Sequence, residues 1–121
     1  MRASPCNRLR VQRGTFWGRC TMTVTIATRY LVADAGVGMA EVKRAKAMWL
    51  RAGAKDFRSR QFFTGEFNGQ WLFHIDFEDF AHLQKCRATV QKSKDSATIQ
   101  RNNAKAGNKM VAREILLGLD G

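Results

Sequence analysis

His74 and Asp76 stand two residues apart in the segment Gln70-Trp71-Leu72-Phe73-His74-Ile75-Asp76-Phe77. In an extended chain both side chains leave the same face, about 7 Å apart. An imidazole and a carboxylate at that spacing have the types that acid-base work needs, so these two are the candidate catalytic residues. Arg29, and Arg58 or Arg60, on neighbouring strands would complete a polar cluster able to hold an anion. The plainer account is that these charges satisfy one another across strands and fix the register of an assembly. The remaining candidates are fewer. His82 falls on the outer flank of a helix and is expected to be a surface histidine. Cys86 has no base near it in sequence and should behave as a small hydrophobe. Cys6, Cys20 and Cys86 are odd in number and widely spaced, which indicates neither a disulfide framework nor a zinc site, so no metal is expected. No phosphate loop, nucleophile elbow or paired-carboxylate motif is present.

The elements that must position these residues follow from periodicity. Trp71, Phe73, Ile75 and Phe77 alternate with Leu72, His74 and Asp76, so residues 70–77 form a strand (β3) with an apolar face and a partly polar one. Asn68-Gly69 suits a type I′ turn, which would pair β3 with a strand over 55–66 (β2) as a tight hairpin. Upstream, residues 22–32 alternate, with Val24, Ile26 and Tyr30 on one side and Thr23, Thr25, Ala27 and Arg29 on the other (β1). The run Asp34-Ala35-Gly36-Val37-Gly38 breaks that pattern. A helix over 39–52 (α1) follows, with Val42, Ala45, Trp49 and Ala52 on one arc and Gly53 as its C′ residue. Asp79 caps a helix to about Val90 (α2) whose buried arc is Phe80, Leu83, Cys86 and Val90. Residues 91–108 are polar, with Ile99 their only large apolar side chain; they hold a short surface helix from near Asp95 or Ser96 to Gly107. Residues 109–119 form an apolar strand (β4). It is interrupted by Arg113 and Glu114, which point to opposite faces, so that one would enter the barrel interior and the other a helix-covered cleft; an edge or interface salt bridge is the plainer account of the pair.

The order is β-α-β-β-α-β, the ferredoxin-like arrangement of the α+β class: a four-stranded antiparallel sheet with two helices on one face. Tyr30, Trp49, Trp71, Phe73 and Phe80 fall in the layer between sheet and helices. Most aromatics there are ordinary core, and Tyr30, Trp49, Trp71 and Phe73 are the candidate ligand-binding set.

At 121 residues and 45% apolar content the chain fits one domain with a single core. No apolar run approaches the roughly 20 residues of a membrane span, and no secretory signal core stands near the start. A cytoplasmic location without membrane contact is expected. The formal charge of +11 is unevenly spread, since residues 1–21 carry five Arg and no acid, leaving 16 basic and 10 acidic side chains beyond them. A domain over 22–121 is therefore only moderately basic, as a solvated surface commonly is. Residues 1–21 are expected to lie outside the core as a basic N-terminal extension. A transit peptide, a nucleic-acid-binding arm and an upstream extension before a true start at Met22 remain open, the last being favoured.

The stretch Gly65-Glu66-Phe67-Asn68-Gly69-Gln70-Trp71-Leu72, with Phe77-Glu78-Asp79-Phe80 opening the second helix, resembles the dimeric α/β-barrel superfamily. That group includes antibiotic biosynthesis monooxygenases and NIPSNAP-like proteins. The resemblance implies a homodimer whose open sheet faces enclose a barrel. It also implies a small apolar ligand held between each sheet and its helices, and a monooxygenase-like or auxiliary activity. Its heme-degrading branch combines an Asn on the first strand, a Trp and a helix His. Here β1 has no Asn and His82 is on an outer flank, so that set is not carried over and no cofactor is expected. An alternative is the RNA-recognition motif, which has the same element order and reads bases with aromatics on β1 and β3. It is disfavoured by the missing Gly between the β3 aromatics, by a β1 without a stacking aromatic and by the short β2–β3 turn, which leaves a nucleic-acid partner as the lesser reading. A non-catalytic structural or interaction domain is the third alternative.

Overall fold

The computed structural model describes residues 23–119, so the basic segment over 1–21 and the proposed start at Met22 lie outside the described residues. The chain runs β1 (Val24–Leu31), α1 (Ala35–Arg51), β2 (Asp56–Gln61), β3 (Trp71–Phe77), α2 (Phe80–Gln91), α3 (Lys94–Ala106) and β4 (Lys109–Leu117). The sheet order is β2-β3-β1-β4 with every neighbouring pair antiparallel. This is the expected ferredoxin-like α+β arrangement, with three helices rather than two. The polar segment 91–108 supplies the third, capped by the Ser93 hydroxyl and stopped at Gly107, whose φ of 80° an L side chain rarely adopts. Among the described residues no helix is long and apolar enough to cross a membrane.

The period-two pattern of β3 is realised as a buried face. Phe77 is fully buried and Ile75 nearly so, and they join Val24, Ile26, Trp49, Phe57, Leu83 and Cys86 in one core. Trp49 meets Phe77 edge-on at 5.8 Å, while Phe73 stacks on Phe57 at 6.1 Å. Cys86 is buried as a small apolar group, and burial pushes its thiol pKa up against the opposing charge of Lys85.

Four local expectations are corrected. α1 begins at Ala35, not Met39, because the Asp34 carboxylate accepts the Val37 N–H and starts the helix through Gly36 and Gly38. Gly38 is there for space: a Cβ would lie 3.1 Å from the Trp71 ring and from Val32. Phe80, placed on the buried arc of α2, is half exposed, because it directly follows the Asp79 cap and only Leu83, Cys86 and Val90 turn inward.

The third correction is the hairpin. Among the described residues no non-glycine residue has positive φ, so Asn68 does not enter a type I′ turn. β2 stops at Gln61, and a wider loop closes through Phe62 N–H to Gln70 O and Gly69 N–H to Phe62 O. The loop lets Phe67 fold back under the Arg29 guanidinium, 3.7 Å above its ring centre, and edge-on to Phe62 at 5.6 Å. Aromatic and cation–π contacts replace the tight turn's ladder. The fourth is His82, which is not a free surface side chain. Its Nδ1 accepts from Glu78 N–H at 2.9 Å, so Nε2 carries the proton and donates to Gly53 O at 2.8 Å. It joins the end of α1 to the start of α2.

Candidate functional site

The helices cover β2, β3 and β1 but leave a cavity of about 260 Å3 between them and the sheet. Tyr30 from β1, Trp49 from α1 and Trp71 and Phe73 from β3 all line it. They reach it because Tyr30, Trp71 and Phe73 share the helix-facing side of the sheet and Trp49 lies on the arc of α1 above them. Phe73 is the hub, meeting Tyr30 at 5.6 Å and Trp71 at 6.4 Å, both edge-on. Ile26, Val42, Ala45, Ile75 and Ile99 extend the apolar wall.

The polar groups in this wall are few and placed. Glu41 on α1 is 4% exposed, its Oε1 taken by Arg44 Nε at 3.0 Å and its Oε2 by Asn102 Nδ2 at 2.9 Å. A carboxylate so buried is tolerable only with partners of this kind. Asn108, equally buried, accepts the Ala33 and Asp34 N–H groups on Oδ1 and donates from Nδ2 to Asn103 Oδ1 and the Asp34 carbonyl. It fastens the β1–α1 connection to the end of α3.

On the sheet side, Thr28 Oγ1 accepts Arg113 Nε at 3.3 Å, and both residues line the cavity. Burial raises the Tyr30 hydroxyl pKa, and the Arg113 charge opposes that rise. Arg113 reaches this side through a register shift between Arg29 and Tyr30: Tyr30 pairs with Met110 and Thr28 with Arg113, leaving Val111 as the extra residue. Met110 and Arg113 thereby share a face that strict alternation would divide.

His74 and Asp76 lie on the opposite, open face of the sheet, and the cavity does not reach them. Asp76 accepts Thr25 Oγ1 at 2.7 Å and Arg58 Nη2 on both oxygens, at 3.1 and 3.0 Å. Its lone pairs are occupied across the strands, as the plainer account expects. Burial, with Arg58 and Arg60, lowers the His74 pKa, and Asp76 opposes the shift. Arg29 and Glu114 approach to 3.8 Å on the same face, while Arg113 turns to the helix side. Among the described residues no group of three or more His, Cys, Asp or Glu is placed to hold a metal ion.

The cavity residues that sequence reasoning missed include Glu41, Thr28, Arg87 and the α3 residues Ser96, Ile99, Gln100 and Asn103, while the helix-side member of the Arg113 and Glu114 pair is Arg113. Glu41 carried no usable signal, because a lone acid at the edge of an apolar arc reads as a solvated flank and its partner Asn102 lies 61 positions away.

No protein-family model matches the sequence, and no curated protein matches it significantly. Solved structures do resemble the fold. An uncharacterized NIPSNAP-like domain protein from Burkholderia xenovorans aligns over 81% of this chain and 85% of its own, at 12% identity and a TM-score of 0.52. A candidate antibiotic biosynthesis monooxygenase from Nitrosomonas europaea aligns over 82% and 91%, at 16% identity and a TM-score of 0.47. An ethyl tert-butyl ether (EthD) family protein from Bacillus halodurans aligns over 83% and 99%, at 16% identity and a TM-score of 0.49. At these identities the likeness is one of fold, and at that level the chain has the ferredoxin-like architecture of the NIPSNAP-like domain protein, as the resemblance in its sequence implied.

Proposed function

We propose that the chain is a small homodimeric α/β-barrel protein that holds a small, largely apolar molecule between its sheet and helices, as a monooxygenase-like or auxiliary enzyme. The observation that carries this is the cavity itself, in which Tyr30, Trp49, Trp71 and Phe73 converge with a few fixed polar groups. A purely structural domain would fill that layer. The dimer is supported by an open sheet face that carries half-exposed Leu31 and Leu116 and, among the described residues, no covering helix or strand. The RNA reading lacks its platform: the β3 aromatics face the helices, and the open face of β3 presents Leu72, His74 and Asp76.

Native mass spectrometry of the purified chain, with extraction and identification of any bound molecule, is the direct test. Ala45→Phe, which fills the cavity from α1, should abolish retention or uptake of apolar ligands while the far-ultraviolet spectrum is kept. Uptake undiminished in that variant would remove the cavity from consideration.

A further inference from the structure

We infer that the ligand of this cavity carries one anionic oxyacid head, of the carboxylate class, on its apolar body, and that Arg113 is the residue that selects it. The inference rests on the cavity reading given above and narrows it to a ligand class. Among the described residues two guanidinium side chains, Arg87 and Arg113, line the cavity, and Glu41 is its only carboxylate. Glu41 is already committed on both oxygens, to Arg44 and Asn102, so it neutralises neither of them. Among the described residues neither Arg87 nor Arg113 has a carboxylate within ion-pair distance.

Arg113 is exposed but anchored at one point to the buried Thr28. Its Nε donates to the Thr28 hydroxyl, which leaves the two terminal nitrogens of the fork for an acceptor. A guanidinium fork matches the two oxygens of a carboxylate. The Tyr30 hydroxyl, close enough for the Arg113 charge to act on it, adds a donor on the same wall. The β-bulge at Val111 gives this arrangement its reason, since without it Arg113 would leave the cavity face occupied by Met110. The space limits the body of the ligand. A cavity of about 260 Å3 suits a two-ring aromatic or a medium-length chain.

The test uses two matched pairs that differ in charge and little in shape: naphthalene-1-acetate with naphthalene-1-acetamide, and decanoate with decanamide, below any micellar concentration. Binding to the full chain is measured by calorimetry near neutral pH. The acid of at least one pair should bind about tenfold more tightly than its amide, about 1.4 kcal/mol. Arg113→Gln should remove that preference while the amide's affinity stays within about twofold, and Arg113→Lys should restore part of it. Arg113 is exposed on an edge strand, so these variants retain the core. Equal binding of acid and amide would overturn the anionic head and leave the cavity reading standing. A preference that survives Arg113→Gln would overturn the role given to Arg113. Failure of all four probes to bind would remove the cavity reading and this inference together.

Discussion

Glu41 shows how much a single buried side chain can connect. It is the one buried acid among the described residues, and its two oxygens join a helix neighbour, Arg44, to a residue of α3, Asn102. Glu41→Ala would strand both donors, a loss of about 1–3 kcal/mol, read as a lower urea midpoint at unchanged slope; Glu41→Gln keeps an acceptor oxygen and should lose less. His74 gives a pH dependence of definite sign. Burial and the charges of Arg58 and Arg60 hold its folded pKa below the ordinary 6.5, so between those values the unfolded chain binds more protons than the folded one. Stability therefore rises with pH across that window and falls as the pH drops below about 6.5. Thermal midpoints of wild type and His74→Gln, compared from about pH 7.5 to about pH 5, should diverge only in the acid range, with the variant flatter. At this scale the aromatic wall was legible, because Tyr30, Trp71 and Phe73 announce their face by alternation and Trp49 by helical phase. Glu41 was not, since it depends on a partner distant in sequence, and which of Arg113 and Glu114 turns to the helices depends on the bulge that shifts the alternation.

Among the elements, order and type could be read from periodicity and caps, while two boundaries could not. Gly36 and Gly38 look like helix breakers, yet α1 passes through both, and Gly38 gives the Trp71 ring its place. Gly38→Ala weighs two effects against each other. Helix propensity gains about 1 kcal/mol, while crowding against an aromatic ring and a branched side chain at 3.1 Å costs roughly 1–3 kcal/mol. Crowding should win, giving a less stable protein with shifted tryptophan emission; a more stable variant with unchanged emission would show that the ring has room to move. The hairpin was misread for a related reason. Asn68-Gly69 has the right local chemistry for a tight turn, but the Phe67 ring gains more under Arg29 and beside Phe62 than it would in the ladder.

For the molecule as a whole, the exposed side of the sheet should govern assembly. The open face carries half-exposed Leu31 and Leu116, and the edge strand β4 adds half-exposed Ile115 and Leu117 on its other side, a surface that soluble proteins rarely leave bare. Sedimentation at micromolar concentration should give twice the 13.7 kDa chain mass. Leu116→Lys, on the open face, should weaken that association at least tenfold while the monomer fold persists; a monomeric wild type would count directly against the barrel. The molecule is also unevenly stiff. β1 and β3 have hydrogen-bonded neighbours on both sides, whereas α3 buries no residue fully and leans on the core through Ile99. What otherwise ties α3 down is polar: Arg51 to Asp95 at 2.7 Å, Glu41 to Asn102 and Asn103 to Asn108. Segments held this way open locally with far smaller free energies than the whole domain. Amide protons of α3 should therefore exchange with solvent deuterium well before those of β1 and β3, and the cavity's roof should breathe many times for each time its floor unfolds.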